Sequence, residues 1–274
     1  MLTADKRVLN RQSAIGNARM SYWNNKVVLI TGASSGIGRG LAMHLARRGA
    51  CVGLVARRAN VLDEVIAEIK ERGGKAEPII ADVQDADALK SGAQRLADVF
   101  GPIDILIANA GVGTTTHASQ LEPSEVERIL QINVVGAANS VAAVLPGMLS
   151  RGTGHLVAIA SLAAYRGVAK SGAYCASKAA LSALFESLRI DLRGSGVDVT
   201  IIYPGFIKTP LTAGRKRMPY LLELDDAVER MIKAIERRKR SYSFPWQLAM
   251  VVRAGLIMPS AMYDWIAERS SFRE

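Results

Sequence analysis

The stretch KVVLITGASSGIG, residues 26–38, joins a short β-branched run to a glycine-rich turn, and a helical pattern continues from there to Arg48. A strand that leads through glycines into a helix is the setting in which such a turn binds phosphate. Glycines let the backbone bend sharply and approach a pyrophosphate, which the N-terminus of the helix attracts. Three residues separate Gly32 from Gly36, whereas the common dinucleotide-binding fingerprint G-x-G-x-x-G has one residue between its first two glycines. The stretch therefore predicts a strand, a dinucleotide-binding turn and a helix.

Short apolar runs and helical patterns alternate beyond this stretch as far as residue 245. The predicted strands are residues 26–31, 51–56, 76–81, 103–108, 155–160 and 199–203, with a seventh at residues 241–244. Strands that alternate with helices form a parallel sheet with helices on both faces. Residues 22–245 contain no linker, composition break or internal repeat. The sequence therefore predicts an α/β fold with one doubly wound parallel sheet in a single domain.

The two ends of the chain differ from this pattern. Residues 1–21 carry four cations against one acid, without an apolar core of signal-peptide length. An over-long start or a weak transit-like leader fits this composition as well, but we take the segment as a flexible basic N-terminal extension. Residues 246–274 are predicted to form an apolar helical extension packed on the same domain. The apolar run at residues 244–265 could close an apolar substrate cleft, pack in a subunit interface or make a peripheral membrane contact.

The composition limits the classes of partner. The formal charge is +10 and the pI about 9.8, but the cations are spread out and lack interleaved aromatic residues. A solvated basic surface is favoured over a nucleic-acid partner. The two cysteines suggest free thiols in a reducing compartment, and the three histidines lack metal-ligand spacing, so we predict no metal site. No run reaches the ~18 apolar residues of a membrane span, and we expect a cytoplasmic protein.

A tyrosine and a lysine four residues apart form the clearest catalytic candidate. Tyr174 and Lys178 lie in SGAYCASKAALS, residues 171–182, whose composition favours a helix. Positions i and i+4 share one face of a helix, so the ammonium group can lie beside the phenol. A nearby cation lowers the pKa of a phenol, as general acid–base catalysis at neutral pH requires. An exposed helical pair is the alternative interpretation of this motif alone.

Polar residues follow the ends of several predicted strands, where open α/β sheets bind their ligands. Arg57 and Arg58 follow the second strand, at the point where an acid commonly selects NAD. Guanidinium groups suit a 2′-phosphate, which favours NADP over NAD. Asp82 follows the third strand, where it could contact adenine or cap a helix. Asn133 lies in an apolar helical stretch, where its amide needs a partner, as in a kink or a buried network.

In this order the motifs TGASSGIG, ARR, Asp82-Val83, NAG, Asn133, Ser161, Tyr174-x-x-x-Lys178 and PGFIKT closely resemble the short-chain dehydrogenase/reductase family. The resemblance covers about residues 24–245. It implies a single Rossmann-type domain with about seven parallel strands and binding of NADP(H), with NAD(H) less favoured. It also implies a homodimer or homotetramer, formed through the long helices that carry Asn133 and Tyr174.

The resemblance implies a role for each matching residue. Tyr174 would be the general acid or base, Ser161 would polarise the substrate oxygen, and Lys178 would bind the nicotinamide ribose and lower the pKa of Tyr174. Asn133 would order a water molecule in a proton relay. Cofactor contacts would come from Gly32, Ser34, Ser35, Gly36, Ile37, Gly38, Arg57, Arg58, Asp82, Val83, Asn109, Ala110, Gly111, Tyr174, Lys178, Pro204, Gly205, Ile207 and Thr209.

The leading hypothesis is an NADPH-dependent oxidoreductase that interconverts an apolar ketone or aldehyde and its alcohol. The apolar run at residues 244–265 and the Met- and Leu-containing loop at residues 211–224 suggest an apolar substrate. One alternative is a reductase of 3-oxoacyl groups on an acidic carrier protein, which the cations Arg215–Arg217 would bind. A second alternative is a non-catalytic NADPH-binding sensor.

Overall fold

The computed structural model of the chain describes residues 22–215 and 217–269. The predicted flexible extension at residues 1–21 lies outside the described residues, as do residues 270–274 of the predicted C-terminal extension. The division into an extension, one domain and a packed C-terminal segment stays a prediction.

A parallel sheet forms the centre of the described chain, and its strands occur in the order β3-β2-β1-β4-β5-β6-β7. All six neighbouring pairs are parallel. The strands are β1 (Val27–Thr31), β2 (Cys51–Ala56), β3 (Lys75–Ile80), β4 (Ile105–Ala108), β5 (Gly154–Ile159), β6 (Val197–Pro204) and β7 (Ser241–Phe244). The order reverses between β1 and β4, so the fold is a doubly wound, Rossmann-like α/β fold, as predicted.

The helices are α1 (Gly36–Arg47), α2 (Ala59–Glu71), α3 (Ala86–Phe100), α4 (Pro123–Leu130), α5 (Gly136–Arg151), α6 (Gly172–Asp191), α7 (Leu224–Glu236), α8 (Trp246–Ile257) and α9 (Ser260–Arg269). A π-helical turn, Gln131–Val135, joins α4 to α5. Helix α6 carries the Tyr174–Lys178 pair, so the predicted helical spacing of these two residues is confirmed.

Two hydrophobic layers lie on opposite faces of the sheet. One layer includes Leu89 of α3, Val141 of α5 and Phe185 of α6. The other includes Leu41 of α1 and Met231 of α7. Strands β1, β2, β4 and β5 are buried along their whole length. This burial on both faces explains why these strands appear in the sequence as continuous apolar runs rather than alternating ones.

The helical segment Pro123–Arg151 is, within residues 22–215 and 217–269, the one helix long and apolar enough to cross a membrane. It packs against α3, α6 and β4. The apolar character of the segment therefore matches that of a core helix in a sheet protein. The polar Asn133 lies within this segment and is fully buried.

Candidate active site

A cavity of about 480 Å³ opens at the carboxyl ends of the strands, where the strand order reverses between β1 and β4. The predicted site residues that line it are Gly32, Ser34, Ser35, Gly36, Ile37, Arg57, Arg58, Asp82, Val83, Asn109, Ala110, Gly111, Ser161, Tyr174, Lys178, Pro204, Gly205, Ile207 and Thr209. Gly38 and Asn133 are the two predicted site residues that lie behind the cavity wall. The fold thus brings the phosphate turn and the Tyr–Lys helix to one cleft.

The turn after β1 leaves no room for side chains at Gly32 and Gly38. Gly32 has a φ of +67°, and a Cβ atom on it would lie 2.8 Å from the Cα atom of Ala110. A Cβ atom on Gly38 would lie 2.3 Å from the carbonyl oxygen of Gly32. Helix α1 begins immediately after this turn and has no acidic residue in its first turn. Exposed N–H groups and a positive helix terminus at the cavity wall fit a pyrophosphate.

Asn109 fixes this turn to the neighbouring strand. Its side-chain amide donates to the carbonyl oxygens of Thr31 and Gly32, at 2.9 and 3.3 Å. The Thr31 hydroxyl in turn accepts the backbone N–H groups of Asn109 and Ala110, at 3.1 and 3.0 Å. The polar atoms of the Asn109 side chain are therefore used to position the two loops, while its backbone lines the cavity.

Two arginines flank one end of the cavity. Arg58 donates to the Ser34 hydroxyl at 3.2 Å, and Arg57 lies 3.4 Å from a carboxylate oxygen of Asp82. Burial raises the pKa of Asp82, but hydrogen bonds from Gln84 and Arg57 outweigh it, so the pKa is lowered overall. Asp85, rather than Asp82, caps helix α3. Of the two roles that the sequence allowed for Asp82, the helix cap is therefore wrong.

Asn133 lies in the π-helical turn and is completely buried. Its amide oxygen accepts the backbone N–H of Val112 at 2.8 Å, and its amide nitrogen donates to the Val112 carbonyl at 2.9 Å. The same nitrogen donates to the Ser177 hydroxyl at 2.9 Å. These three bonds tie the loop after β4 to α6, which is the buried network that the sequence allowed as an alternative to a catalytic role.

Ser161 and Tyr174 face the cavity from the end of β5 and the first turn of α6. The Ser161 hydroxyl accepts the backbone N–H of Ala163 at 3.1 Å, which fixes its rotamer at the start of a short helical turn. Burial raises the pKa of Tyr174. A hydrogen bond with Ser161 and the positive charge of Arg215 lower this pKa, but by less than burial raises it, so the pKa is raised overall. The net direction is the reverse of the predicted one, because burial of the phenol outweighs nearby positive charge.

Lys178 is buried one helical turn beyond Tyr174. Its Nζ atom donates to the carbonyl oxygen of Ile159 at 2.9 Å and lies 5.8 Å from the centre of the Tyr174 ring. Burial lowers the pKa of the ammonium group from 10.5 to about 8. A Cβ atom built on Gly111 would lie 3.3 Å from this Nζ atom and 3.3 Å from Asn133 Oδ1. The glycine thus allows the backbone to pass close to both side chains.

The segment after β6 forms the remaining wall. The Gly205 N–H donates to the carbonyl of Phe244 at 2.7 Å, and Ile207 pairs with Leu222 in an isolated bridge. The Thr209 N–H donates to the Thr212 hydroxyl at 3.1 Å. The Met- and Leu-containing loop at residues 211–224 is therefore held to the segment after β6 near its C-terminal end, through Leu222.

Three residues that position the site were not identified from the sequence. Thr31 holds the Asn109 loop, and Ser177 accepts from Asn133 while it donates to the Tyr174 carbonyl at 2.8 Å. A Cβ atom on Gly113 would lie 2.8 Å from a ring carbon of Tyr174. Thr31 and Ser177 lie within the quoted motifs TGASSGIG and SGAYCASKAALS, but only the three-dimensional packing reveals their partners.

Comparison with known proteins gives the family. A sequence profile described as short chain dehydrogenase matches residues 26–219, which is more than half of the chain. The chain belongs to the short-chain dehydrogenase/reductase family. An uncharacterized oxidoreductase of Myxococcus xanthus is 49% identical over 92% of this chain and 99% of its own length. A fatty acyl-CoA reductase of Acinetobacter baylyi is 36% identical over 84% of this chain and 79% of its own.

Solved structures of this family share the fold. A short chain dehydrogenase/reductase from Burkholderia phymatum in complex with NAD has a TM-score of 0.78 at 26% identity, covering 84% of this chain and 92% of that protein. A metagenomic short-chain oxidoreductase in complex with NADP has a TM-score of 0.66 at 32% identity, covering 78% and 91%. This short-chain dehydrogenase/reductase is thus an oxidoreductase with a nucleotide-binding Rossmann-like fold, and its relatives include proteins in complex with either cofactor.

Proposed function

We propose that this protein is an NADPH-dependent oxidoreductase that interconverts an apolar ketone or aldehyde and its alcohol, with Tyr174 as general acid and base. The observation that supports this most strongly is the convergence of Ser161, Tyr174 and Lys178 on the same cavity as the glycine turn after β1. A dinucleotide bound along this cavity supplies or accepts the hydride through its nicotinamide ring.

The protein's own residues bind the substrate oxygen and move its proton. Ser161 donates a hydrogen bond to the substrate oxygen and so stabilises negative charge as it develops there. Tyr174 gives its phenolic proton to the same oxygen during reduction and takes it back during oxidation. Because its pKa is raised by burial, the phenol holds this proton at neutral pH, which suits the reductive direction. Lys178, with a pKa of about 8, is mainly charged at neutral pH, and in this proposal its ammonium group binds the nicotinamide ribose.

In this proposal Asn133 acts as a positioning residue. Its amide is committed to Val112 and Ser177, so it holds the cavity wall in place. The amide oxygen accepts one of these bonds and retains a second lone pair, which can accept a hydrogen bond from a water molecule, the role implied by the resemblance. Gly113 follows Val112 and packs against the ring of Tyr174, so a shift of this wall would displace the general acid.

The preference for NADPH rests on the two exposed arginines that line the cavity near Asp82. Arg58 is already oriented by the Ser34 hydroxyl. A 2′-phosphate would bind such planar guanidinium groups through charge-assisted hydrogen bonds. Asp82 partly offsets Arg57, so Arg58 is expected to contribute most to the selection.

An apolar substrate is favoured by exposed apolar side chains in the loop that lines the cavity. Leu211 lines the cavity and is 45% exposed, and Tyr220 and Leu221 of the same loop are also exposed. The name of the fatty acyl-CoA reductase, which matches most of this chain, refers to an acyl-chain substrate and agrees with this proposal. The alternative, a 3-oxoacyl group on an acidic carrier protein, is favoured by the charge of Arg215 near Tyr174.

We further propose a homodimer or homotetramer in the cytoplasm. The long helices α5 and α6 carry exposed apolar side chains, Leu149 and Ile190, which are 44% and 70% exposed. Such side chains would be covered in an interface between copies. Sedimentation of the protein alone tests this part of the proposal.

The test follows NADPH oxidation with ketones and aldehydes of graded chain length, with NADH and the Tyr174→Phe variant in parallel. We expect turnover that prefers NADPH, increases with chain length and is lost in the variant. Tyr220→Phe is the matched control, because this tyrosine is exposed in the loop beside the cavity. Tight NADPH binding without Tyr174-dependent turnover of any substrate would instead support the non-catalytic sensor. Preference for NADH would overturn the roles of Arg57 and Arg58.

A further inference from the structure

Helix α8 is apolar on both of its faces. Leu248 and Ala249 are buried in the layer that contains α3, α5 and α6, and Gly255 is buried against Tyr263 of α9. The opposite face carries Trp246, Met250 and Ile257, which are 69%, 59% and 89% exposed. An amphipathic surface helix would place charged residues on that face. The one charged residue of the helix, Arg253, is exposed on this side and donates to the Ser243 hydroxyl at 3.2 Å. Helix α8 therefore has a second, mainly apolar face that the described residues do not cover.

The exposed apolar side chains form a concentrated surface. The described residues include seventeen exposed large hydrophobic side chains, and eight of them lie within residues 246–266. Such side chains are therefore much more frequent in this segment than in the rest of the described chain. They are Trp246, Met250, Val251, Leu256, Ile257, Met262, Trp265 and Ile266. We call helices α8 and α9 the C-terminal helix pair. Patches of this kind mark surfaces that bind a partner or a membrane.

The C-terminal helix pair is fixed to the catalytic loop, residues 162–170, between Ser161 and α6. The Arg166 guanidinium donates to the carbonyls of Gly255 and Met258 and lies 3.9 Å from the centre of the Tyr263 ring. The Tyr263 hydroxyl donates to the carbonyl of Gly167 at 2.6 Å. The exposed apolar face is therefore held in a defined orientation beside the active site.

Cations outnumber carboxylates in the segments that adjoin the C-terminal helix pair in sequence or in the fold. The catalytic loop and the segment of residues 205–222, which packs on α8 through Gly205 and Leu248, contain no aspartate or glutamate. Their cations are Arg166, Lys170, Lys208, Arg215, Lys216 and Arg217. Within residues 246–267 the charged residues are Arg253 and Asp264, so the whole region carries seven cations against one carboxylate.

We propose that the C-terminal helix pair docks this protein on an anionic lipid bilayer, with its apolar side chains inserted at the level of the headgroups. Exposed apolar residues beside cation-rich segments match a negatively charged membrane surface in both hydrophobicity and charge. Exposed tryptophans are typical of the boundary between headgroups and hydrocarbon. Helix α8 has twelve residues and a length of about 18 Å, so it lies along the surface rather than across a core of about 30 Å.

Charge complementarity favours the bilayer over a second copy of the chain. Two copies that paired through this face would bring two regions of the same sign together. Repulsion of this kind opposes association, whereas anionic headgroups are attracted to the same cations. The proposal does not depend on the proposed reaction, because it concerns residues outside the cavity.

The tryptophans of the chain make the proposal directly measurable. The sequence contains three, of which Trp23 is fully buried, while Trp246 and Trp265 lie in the C-terminal helix pair. A change of tryptophan emission on addition of vesicles therefore reports on this surface. The full-length protein is mixed with vesicles of phosphatidylcholine alone or with phosphatidylglycerol, and flotation is measured on the same samples.

We expect flotation and a blue shift of emission with the anionic vesicles, both weakened by high salt and by omission of phosphatidylglycerol. The triple variant Met250→Ser, Val251→Ser, Ile257→Ser keeps both reporter tryptophans. It should lower the partition coefficient roughly tenfold or more, because three large apolar side chains no longer leave water. The matched control is Ile80→Ser, Val99→Ser, Leu121→Ser, whose wild-type side chains are 56%, 58% and 61% exposed on other surfaces. This control should bind vesicles like the wild type.

Absence of flotation and of a blue shift with anionic vesicles would overturn the proposal, as would an equal loss of binding in both triple variants. Sedimentation of the lipid-free proteins adds a further test. A smaller oligomer in the Met250–Val251–Ile257 variant, with no vesicle binding by the wild type, would make this face an interface between copies instead. Thermal melting of each variant identifies any loss of vesicle binding that results from unfolding of the protein.

Discussion

Replacing Asn133 by alanine tests whether the buried amide holds the wall of the active site. The substitution removes three hydrogen bonds from a fully buried position and leaves the N–H and the carbonyl of Val112 without these partners. Each buried backbone group without a partner costs about 1–3 kcal/mol, so we expect a loss of about 2–6 kcal/mol in the free energy of unfolding. Ser177 keeps its bond to the Tyr174 carbonyl and adds little to this loss.

A second effect is expected on catalysis, because Val112 adjoins Gly113, which packs against the Tyr174 ring. A displacement of the general acid by about 1 Å can cost roughly 100-fold in rate. Urea denaturation measures the stability, and kcat is measured at a temperature where the variant stays folded. Ser140→Ala is the matched control: Ser140 is equally buried on the adjoining helix α5, but its hydroxyl bonds only to the carbonyl of Gly136, one turn earlier. A loss below about 1 kcal/mol for Asn133→Ala, or an equal loss for Ser140→Ala, would refute the reasoning.

Three further predictions follow from other contacts. Gly113→Ala places a Cβ atom 2.8 Å from the Tyr174 ring. It should lower kcat roughly tenfold or more while the affinity for NADPH stays near normal. An unchanged kcat would contradict this prediction. Arg58→Ala should raise the KM for NADPH roughly 10–100-fold and leave the KM for NADH nearly unchanged. Equal effects on the two KM values would exclude recognition of the 2′-phosphate by Arg58. Burial lowers the pKa of His155 from 6.5 to about 4, so the folded protein takes up this proton less readily than the unfolded chain. As the pH is lowered from 6.5 to 4, the free energy of unfolding should therefore fall by about 3 kcal/mol in total. The variant His155→Gln should show a weaker pH dependence of this free energy in urea titrations. The same pH dependence in the variant and the wild type would refute the prediction.

Much of the fold follows from local patterns in the sequence. Strand β2, Cys51–Ala56, and strand β7, Ser241–Phe244, have the predicted bounds. Strand β6 runs from Val197 to Pro204, longer at both ends than predicted, because its pairing with β5 and β7 extends beyond the apolar run. Sheet pairing depends on neighbours far away in the sequence, so the ends of strands are poorly determined by local pattern.

The side-chain partners inside the site could not be predicted in the same way. The amide of Asn109 bonds to Thr31 and Gly32, which are more than seventy residues earlier in the chain. The direction of the pKa shift of Tyr174 depends on burial, which the spacing to Lys178 does not reveal. The second apolar face of α8 was equally hidden, because an apolar run does not show which of its side chains the core will cover.

The bonds from Arg166 to the carbonyls of Gly255 and Met258 give the C-terminal helix pair a structural role in the chemistry. Removal of the helix pair would leave this guanidinium without those acceptors, in the loop that links Ser161 to Tyr174. A chain shortened in this way would then lose turnover because the loop between Ser161 and Tyr174 is no longer held in place, even though every cavity residue is present. Under the two proposals made above, a force that a membrane exerts on the helix pair would reach Tyr174 through this loop, and attachment would then affect the reaction rate.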